Sequence, residues 1–393
     1  MMAGLLFARA GVETIVLEKH ADFFRDFRGD TIHPSTTEVL SELGLLEKFL
    51  ELKPDRLEKI GAEFCGRTLD LADFSALPTA CKFIGMIPQW DFLDFIADAA
   101  AKLPGFSLRM NTKATDLIEE NGRIVGVRAE GESGKLEVRS SLVIAADGRS
   151  SQMRESAGLK VEDIGAPIDV LWFRIPRDEN STDEAPLFHA GPGHVVITIN
   201  RTSYWQCAYV VSKGTAEEVK SGALSEFKKS VVDAAPVLGW GIEELRDFEE
   251  VRTLNVVIDR LEKWSRPGLL MIGDSAHAMS PVGGVGINLA IQDSVAAANA
   301  LAGKLADGES IDNELDSVRR RRLWPVKVTQ WVQVKAQDTI LKPIITDQSK
   351  SFRIPLPMRV ISRFPFLQRK LGAMIGLGAR PEHVQSRAAV SER

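Results

Sequence analysis

Hydrophobic and polar positions at the start of the chain predict a helix followed by a buried strand. Small and aliphatic residues recur at helical spacing over residues 2–10, and Gly11 ends that pattern. Residues 12–17 then form an apolar run typical of a strand in a parallel sheet, and Glu18 follows it directly. In a dinucleotide-binding unit, an acidic residue about 20 residues after a glycine-rich turn binds the ribose. Glu18 holds the position of that acid, whereas the sequence contains no strand and no glycine-rich turn ahead of residue 2.

The periodicity of the remaining chain alternates between helices and strands. Apolar residues at helical spacing predict helices at about 29–50, 90–103, 216–232, 286–303 and 313–340. Alternating or continuous apolar runs predict strands at 106–110, 115–120, 124–130, 136–146, 169–174, 194–200, 203–211 and 268–272. Asn121-Gly122, between two of these strands, is a strong hairpin signal. At 393 residues, with no repeat or low-complexity linker, we expect two domains woven together rather than strung along the chain.

Composition and charge exclude several classes of protein. With 44% hydrophobic and 26% charged residues, the chain is expected to fold rather than to be disordered. The net charge of −5 gives no basic field, so nucleic acid is not an expected partner. Cys65, Cys81 and Cys207 are odd in number and far apart, which indicates a reducing compartment and neither a disulfide framework nor a metal site. No apolar run reaches the roughly 18 residues of a membrane span and no signal peptide is recognisable, so we expect a cytoplasmic protein.

The stretch GDSAHAMSPVGGVGIN, residues 273–288, carries the strongest chemical signal. A predicted strand delivers Gly273 and Asp274 to its carboxyl end, a loop containing Pro281 follows, and glycines then open a long apolar helix. Ligands of α/β sheets bind at the carboxyl ends of strands, and bare amides at a helix start attract anionic groups. The glycines alone fit a tight strand-to-helix turn equally well. Their combination with Asp274 and Asn288 favours a ligand site.

Five segments, taken in order, carry a resemblance to a known family. They are the opening helix and strand ending in VLEKH, then FRGDTIHPSTTEVL, VIAADGRSSQMRESAGL, GDSAHAMSPVGGVGIN and GLGARPEHV. The sequence resembles the FAD-dependent aromatic hydroxylases of the 4-hydroxybenzoate hydroxylase type, which are single-component flavoprotein monooxygenases. The resemblance spans nearly the whole chain, and the third and fourth segments are the specific ones.

The resemblance implies an α/β fold with two interleaved domains. One is a Rossmann-like, three-layer FAD-binding domain of the glutathione reductase type, and the other is an antiparallel β-sheet domain that binds the substrate. The implied divisions are 1–58, 89–160 and 262–320 for the FAD-binding domain, 59–88 and 161–261 for the substrate domain, and 321–393 for a C-terminal helical segment. Basic and apolar residues are mixed near the end of the chain. We expect this segment to pack, either on the FAD-binding domain or on a second subunit of a homodimer. The alternative, which we do not favour, is contact with a membrane surface.

The resemblance also assigns residues to FAD. Asp274 would hydrogen-bond the ribityl chain, Glu18 would bind the adenosine ribose, and the amides from Gly284 to Asn288 would face the flavin pyrimidine edge. Pro281 would lie beside the reactive carbon, so Pro281 and Gly284 are placed at the catalytic centre. The full set of implied FAD contacts is Glu18, Arg28, Gln89, Asp147, Gly148, Gly273, Asp274, Pro281, Gly283, Gly284, Val285, Gly286, Ile287 and Asn288.

The activity that the resemblance implies is hydroxylation of an aromatic or similarly electron-rich small molecule. NADH or NADPH would reduce FAD, and the reduced flavin would take up O2 as a hydroperoxide and pass one oxygen atom to the ring. Candidate substrate residues are Trp172, Arg174, Tyr204 and Trp205. Strand alternation puts Trp172 and Arg174 on one face and Phe173 on the other, so these side chains cannot all line one pocket. Alternatively, the aromatic residues only pack the sheet against the FAD-binding domain.

Several alternatives stay open at the level of sequence. A flavin-dependent reductase or dehydrogenase would keep every FAD motif and transfer no oxygen. A flavin-dependent halogenase is disfavoured, because WFRIP at 172–176 has arginine where the halogenase motif W-x-W-x-I-P has its second tryptophan. Asp147-Gly148 matches the family's motif for FAD and NAD(P)H but also fits an ordinary turn. His33 and His277 are expected to be structural rather than catalytic.

The family pattern also bears on the first residues. In that pattern a strand and G-x-G-x-x-G come directly before the segment MMAGLLFA, so this sequence starts just after the last glycine of the fingerprint. Either the start codon was assigned late or this is a truncated variant. We expect the missing backbone donors to reduce FAD affinity, since each buried hydrogen bond left unmade costs about 1 to 3 kcal/mol. A chain that cannot hold FAD and is not catalytic is therefore a further alternative.

Overall fold

The computed structural model describes residues 1–24, 31–64, 66–178, 187–201, 203–346 and 353–389 of the chain. Within these residues, the strands are β1 Thr14–Leu17, β2 Thr31–Ile32, β3 Asp55–Leu57, β4 Lys59–Phe64, β5 Arg67–Asp73, β6 Ile84–Met86, β7 Phe106–Arg109, β8 Lys113–Glu120, β9 Arg123–Gly131, β10 Gly134–Arg139, β11 Val143–Ala145, β12 Val161–Asp163, β13 Ile168–Pro176, β14 Phe188–Gly191, β15 His194–Asn200, β16 Tyr204–Ser212, β17 Arg252–Leu254, β18 Asp259–Leu261, β19 Ser265–Arg266 and β20 Leu269–Met271. The helices are α1 Met2–Arg9, α2 Pro34–Glu42, α3 Leu46–Glu51, α4 Gln89–Ala101, α5 Gln152–Ser156, α6 Ala216–Ser221, α7 Leu224–Ala234, α8 Gly286–Ala306, α9 Leu315–Ala336, α10 Lys342–Thr346, α11 Leu356–Arg363 and α12 Pro365–Gly376.

Two pairs of parallel strands lie in the predicted FAD-binding half. β1 pairs with β7, with Thr14 opposite Phe106, and β11 pairs with β20, with Val143 opposite Leu269. The prediction that β1 is a buried strand is wrong, because Ile15 is 43% exposed. The physical reason is that, in the described part of the chain, β1 has a strand partner only along the edge that it shares with β7.

Helices α1, α4 and α8 form the main apolar core with these strands. Leu6, Ile96 and Val295, one from each helix, are at most 1% exposed and belong to one cluster. Burying each such side chain stabilises the fold by about 1.5–3 kcal/mol. Helix α1 packs closely on β1, since a Cβ on Gly4 would lie 2.6 Å from a methyl carbon of Val16.

The predicted hairpin at Asn121-Gly122 is confirmed. β8 and β9 are antiparallel, with Glu120 opposite Arg123. Asn121 and Gly122 have positive φ angles of 49° and 79°. A two-residue turn of this kind needs positive φ at both positions, and asparagine and glycine adopt it at the lowest cost. β10 pairs with β9 and completes a three-stranded sheet.

The largest sheet has seven strands in the order β17-β13-β16-β15-β14-β4-β5. Neighbouring strands are antiparallel except for β14 and β4. Because β4 and β5 join strands that come much later in the chain, the two halves of the fold are interleaved, as the implied fold class requires. β6 lies in the predicted substrate segment 59–88 but pairs with β2 and β3 in a separate sheet.

Side chains alternate between two faces of the seven-stranded sheet. On the face that we call outer, Phe173 and Trp205 share an apolar cluster with Phe227 of α7. On the face that we call inner, Trp172 shares a different cluster with Met86 of β6. The predicted alternation of Trp172 and Phe173 is therefore confirmed.

The helices after α9 cover part of the inner face. Leu341, Ile344 and Met358 pack in one cluster with Val195 and Val210 of the sheet. Helix α9 is continuous across residue 320, where the sequence places a domain boundary. Of the helices that the structure describes, none combines the length and the apolar character needed to cross a bilayer.

Candidate cofactor site

The turn after β20 brings an acidic side chain to the carboxyl end of the strand. Gly273 has a φ of +60°, and a Cβ there would lie 2.9 Å from the Cβ of Ala290 in α8, so the turn requires glycine. The hydroxyl of Ser275 donates to the carbonyl oxygen of Ala145 at 2.7 Å, which ties the turn to β11. Asp274 lies between these buried residues, and its own side chain is 34% exposed. The local fold therefore fixes the backbone and leaves the carboxylate accessible.

Three loops from separate parts of the chain meet at Asp274. Nη2 of Arg149, which follows β11, lies 4.0 Å from Oδ2 of Asp274. On the other side, a Cβ on Gly286 would lie 3.9 Å from Oδ1 of Asp274. The turn after β11, the turn after β20 and the start of α8 thus border one another. This is the edge of the sheet at which α/β folds bind their ligands.

The segment before α8 is shaped by two glycines with positive φ, Gly283 at +82° and Gly284 at +63°. Gly284 lies so close to β2 that a Cβ on it would be 2.6 Å from Oγ1 of Thr31. That hydroxyl donates to the carbonyl oxygen of Gly284 at 2.9 Å. Oδ1 of Asn288 accepts from the hydroxyl of Thr36 at 2.7 Å, and Nδ2 of Asn288 donates to the carbonyl oxygen of Thr31 at 3.3 Å. The side chain of Asn288 is thus hydrogen-bonded within the protein, which agrees with a predicted FAD contact through its backbone amide.

The residues present at this edge fit FAD. The first turn of α8 has no capping side chain and no acidic residue, so its amides and the helix dipole favour an electron-rich group. The carboxylate of Asp274 beside this turn can accept hydrogen bonds from the hydroxyl groups of a ribityl chain. Gly148 has a φ of +86°, and no atom of the described residues lies within 4 Å of where its Cβ would be, which leaves space for a ligand beside the backbone.

Asp147 has a structural task in its own loop. Its Oδ1 accepts from the hydroxyl of Ser151 at 2.5 Å, and its Oδ2 accepts from the amide of Met153 at 3.1 Å. Oγ of Ser151 in turn accepts from the amide of Arg154 at 2.9 Å. Both carboxylate oxygens of Asp147 therefore serve the start of α5. The side chain of this loop that approaches Asp274 is Arg149.

The other residues assigned to FAD lie on separate elements. Glu18 follows β1, and its Oε1 accepts from the amide of His20 at 3.0 Å. Gln89 is the first residue of α4. Arg28 lies outside the described residues. The FAD contacts of Glu18, Gln89 and Arg28 stay predictions.

The four candidate substrate residues divide between the two faces of the seven-stranded sheet. Trp172, Arg174 and Tyr204 are on the inner face, where the guanidinium carbon of Arg174 lies 5.0 Å from the centre of the Tyr204 ring. Trp205 is on the outer face, and the guanidinium carbon of Arg177 lies 5.3 Å from the centre of its ring. One pocket therefore cannot contain Trp205 together with the other three side chains.

Two buried charged residues support the turn of Gly273, and their role was not predicted from the sequence. Asp293 of α8 and Arg322 of α9 are both 0% exposed, and Nε of Arg322 donates to Oδ1 of Asp293 at 3.0 Å. Burial raises the pKa of Asp293, but His277, Arg322 and the amide of Gly273 outweigh it, so the pKa lies below its ordinary value of 3.8. The available signal was an acid inside the apolar run AIQDSVAAANAL, because a buried carboxylate requires a partner. Arg322 belongs to a run of four arginines, which is more typical of a solvated face.

His33 and His277 are buried and bound within the protein. Nδ1 of His33 donates to the carbonyl oxygen of Ile375 at 2.8 Å, and burial lowers the pKa of His33 to about 4. Nε2 of His277 donates to Oδ2 of Asp293 at 2.6 Å. These contacts give both histidines a structural role beside the candidate FAD site.

The fold and the site together define an oxidoreductase of the FAD-binding α/β class. Residues 1–332 match the FAD binding domain family. The 6-methylpretetramide 4-monooxygenase of Streptomyces rimosus is 30% identical over 363 residues, which are 92% of this chain and 86% of that protein. The chain therefore belongs to the FAD-binding-domain family, among its FAD-dependent monooxygenases.

Two further comparisons bear on the fold and on the reaction. The crystal structure of p-nitrophenol 4-monooxygenase from Pseudomonas putida matches with a TM-score of 0.75 at 20% identity, covering 96% of this chain and 95% of that one, so the fold is shared. Digeranylgeranylglycerophospholipid reductase of Picrophilus torridus is 26% identical over 326 residues, which are 78% of this chain and 74% of that protein. The monooxygenase of Streptomyces rimosus exceeds the reductase in both identity and coverage, so the reductase alternative is not favoured.

Proposed function

We propose that the protein hydroxylates an aromatic or similarly electron-rich small molecule in the cytoplasm, with FAD as cofactor and NADH or NADPH as reductant. Bound FAD would supply the redox chemistry, because it accepts a hydride from the nicotinamide and activates O2. The chain itself then has three tasks, which are to hold the flavin, to orient the substrate beside it and to keep water from the reacting atoms.

The observation that carries this proposal is the contact between the loop of residues 281–284 and the inner face of the seven-stranded sheet. Val282, which lies between Pro281 and Gly283, packs against the cluster that contains Val195 and Val210 of that face. A ring bound between the turn and the sheet would therefore be next to the flavin and shielded from water.

A second connection between the turn and the sheet runs through β2 and β6. Thr31 donates a hydrogen bond to Gly284 and stands opposite Met86 in the antiparallel pair β2–β6. Met86 shares an apolar cluster with Trp172 of the inner face. The glycine turn and Trp172 are thus connected through β2 and β6, which supports a substrate position near both.

The inner face also offers a polar group for orienting a substrate. Gln206 is 5% exposed, and its Oε1 accepts from Nε of Arg201 at 3.2 Å. Its Nε2 has no hydrogen-bond partner among the described residues. A buried donor without an acceptor is costly, and a hydroxyl, phenolate or carbonyl oxygen of a substrate would satisfy it. Gln206 stands opposite Arg174, so we propose that this end of the face binds an oxygen substituent of the ring.

The reaction is tested by following NADH or NADPH oxidation, O2 uptake and product mass together. The first compounds to test are 6-methylpretetramide and p-nitrophenol, after the names of the relative and of the structural neighbour. We expect one compound of this kind to stimulate NADH or NADPH oxidation and to give a product that contains one oxygen atom from O2, with release of nitrite where the oxygen replaces a nitro group. Oxidation that never places oxygen in a product would instead make the protein a reductase or an oxidase.

The substrate position is tested by Gln206→Leu, which keeps the approximate size and removes the donor. We expect KM for an oxygen-substituted ring to rise about tenfold, the equivalent of one hydrogen bond, while kcat changes little. Cys207→Ala is the matched control, because Cys207 is the next residue of the same strand and lies on the outer face. An equal change of KM in both variants would remove Gln206 from the substrate site.

A further inference from the structure

Asp293, Arg322 and Glu382 form a chain of buried charged groups, which we call the buried chain, from the turn of Gly273 and Asp274 to the C-terminal segment. Oδ2 of Asp293 accepts from the amide of Gly273 at 3.0 Å and from Nε2 of His277 at 2.6 Å. Oδ1 of Asp293 accepts from Nε of Arg322 at 3.0 Å, and Nη1 of Arg322 donates to Oε1 of Glu382 at 3.1 Å. Asp293, Arg322 and Glu382 are at most 4% exposed, so each charge depends on its protein partners rather than on water.

The segment that carries Glu382 crosses several helices of the FAD-binding half. We call residues 377–389 the C-terminal strap. Nδ1 of His383 lies 2.5 Å from Oε1 of Glu42 in α2, and the carbonyl oxygen of His383 accepts from Nδ2 of Asn299 in α8 at 2.8 Å. The amide of Ala389 donates to the carbonyl oxygen of Arg9 in α1 at 2.9 Å. These contacts hold the strap in place, and the strap reaches the buried chain through Glu382 and through the carbonyl oxygen of Arg380, which accepts from Nη1 of Arg322 at 3.0 Å.

The carboxylate of Asp293 is the part of this chain that acts on the turn. It accepts from the backbone of the turn itself, at Gly273, and not only from side chains of neighbouring helices. Its own position is set by Arg322, whose planar guanidinium binds Asp293 with one nitrogen and Glu382 with another. A change of charge at Glu382 therefore alters how Arg322 holds Asp293, and through it the amide of Gly273.

We propose that the chain of Glu382, Arg322 and Asp293 positions the turn of Gly273 and Asp274 for FAD, so that the C-terminal strap controls the cofactor site from a distance. The proposal rests on the assignment of this turn to FAD and is independent of the substrate. Asp293, Arg322 and Glu382 are positioning residues, since they act on the cofactor through the backbone of the turn.

Amide hydrogen exchange on the full chain without added FAD tests the proposal directly. The measured quantity is the exchange rate of a peptide that contains residues 273–277. Glu382→Gln keeps the size of the side chain and removes its charge. We expect this peptide to exchange about tenfold faster in Glu382→Gln than in the wild type, because one charge-assisted contact that holds the turn is weakened.

The matched control is Asn299→Ala, which removes a different contact of the same strap. Asn299 binds the strap at His383 but has no contact with the buried chain. We expect faster exchange at residues 383–386 in this variant, and wild-type exchange at 273–277. Unchanged exchange of the turn in Glu382→Gln, or equally fast exchange in Asn299→Ala, would overturn the proposal.

A second variant and a second measurement separate this proposal from the proposed function. Asp293→Asn removes the charge and one of the two acceptor oxygens of this side chain, and should accelerate exchange at the turn more than Glu382→Gln does; a smaller effect would contradict the proposal, and if this variant does not fold, Glu382→Gln decides alone. In titrations with FAD, Glu382→Gln should bind several-fold more weakly than the wild type. A wild-type chain that does not bind FAD would contradict the proposed function, whereas the exchange result would still decide the positioning role.

Discussion

Two neighbouring strand ends carry an aspartate beside a glycine, and the two turns are held by different means. β11 leads to Asp147 and Gly148, and β20 leads to Gly273 and Asp274. Asp147 uses both carboxylate oxygens to close the first turn of the helix that follows it. At the second turn the backbone is held by Asp293 of α8, and the side chain of Asp274 is 34% exposed.

This difference shows two ways in which a fold can stabilise a turn at the edge of a sheet. A turn that is stabilised by its own aspartate uses the polar atoms of that side chain within the loop. A turn whose backbone is held by a distant, buried carboxylate does not need its own aspartate for that purpose, at the cost of placing charged groups in the core. The second arrangement is the one found beside the glycine-rich start of α8.

The largest expected effect comes from removing the support of the second turn. Arg322→Met leaves the carboxylates of Asp293 and Glu382 buried without this cation. We expect the free energy of unfolding to fall by about 3–5 kcal/mol, the usual consequence of breaking a buried ion pair. Urea-induced unfolding followed by circular dichroism measures it.

The control for this variant is the neighbouring arginine. Arg321 binds the same Oε1 of Glu382 at 2.8 Å, but its side chain is 42% exposed. Arg321→Met should cost about 1 kcal/mol or less, because water can replace most of an exposed ion pair. Equal losses in Arg321→Met and Arg322→Met would show that burial does not decide the strength of this support.

Helical periodicity predicts that Arg322 is buried, whereas its charge favours an exposed position. Leu315, Val318, Arg322 and Val326 recur at spacings of three and four residues, and each is at most 1% exposed. The helical period of the buried stripe therefore passes through Arg322, although a run of four arginines is typical of a solvated face. Glu382 had no comparable signal, because it lies in an irregular strap whose position depends on tertiary contacts alone.

The hairpin and the glycine turn could be predicted because each depends on neighbours in sequence, whereas the fold class was predicted from the resemblance to a family. The alternation of Tyr204, Trp205 and Gln206 could likewise be read from a period of two, but which face is the inner one depends on where α7 packs. The exposure of Ile15 depends on how many strands flank β1, which no local pattern reports. Local chemistry predicted the candidate site, and long-range packing decided how Asp147 and Asp274 are used.

His33 binds Asn288 in the first turn of α8, and its buried imidazole gives a pH test of this contact. Its amide donates to Oδ1 of Asn288 at 3.0 Å, and burial lowers its pKa from 6.5 to about 4, although the hydrogen bond to Ile375 opposes this. Between these pH values the unfolded chain binds a proton that the folded protein does not bind. The contribution of His33 to the free energy of unfolding is therefore fully present above pH 6.5 and decreases by about 3 kcal/mol as the pH falls to about 4.

His33→Gln should remove most of this pH dependence, measured as the free energy of unfolding in urea across the same pH range. Thr37→Ser is the control, because Thr37 lies in the same first turn of α2 and carries no titratable group. We expect the control to retain the wild-type slope. A slope that survives in His33→Gln would assign the pH dependence to other groups.

Asp274→Asn tests whether the accessible carboxylate serves the cofactor. The side chain is 34% exposed and lies 4.0 Å from the Arg149 guanidinium, so we expect its charge to contribute to stability without FAD as a partly exposed ion pair does, about 1 kcal/mol or less. We expect the dissociation constant of FAD to rise about tenfold, the equivalent of one hydrogen bond to a charged group. Quenching of flavin fluorescence measures the affinity, and a large loss of stability with unchanged affinity would reverse this assignment.

Asp147→Ala should have the smallest effect, and it should lower the free energy of unfolding rather than the affinity for FAD. Removing this carboxylate, which supports the cap residue Ser151 of α5, costs about 1 kcal/mol of unfolding free energy, because the amide of Met153 and the hydroxyl of Ser151 lose their acceptor. The affinity for FAD should change less than in Asp274→Asn, since the carboxylate is already bound within its loop. Ser150→Ala, at an exposed position of the same loop, is the control and should change neither quantity. If Asp147→Ala weakened FAD as much as Asp274→Asn does, both aspartates would serve the cofactor, and the contrast between a self-capped turn and an externally supported turn would not describe how this site works.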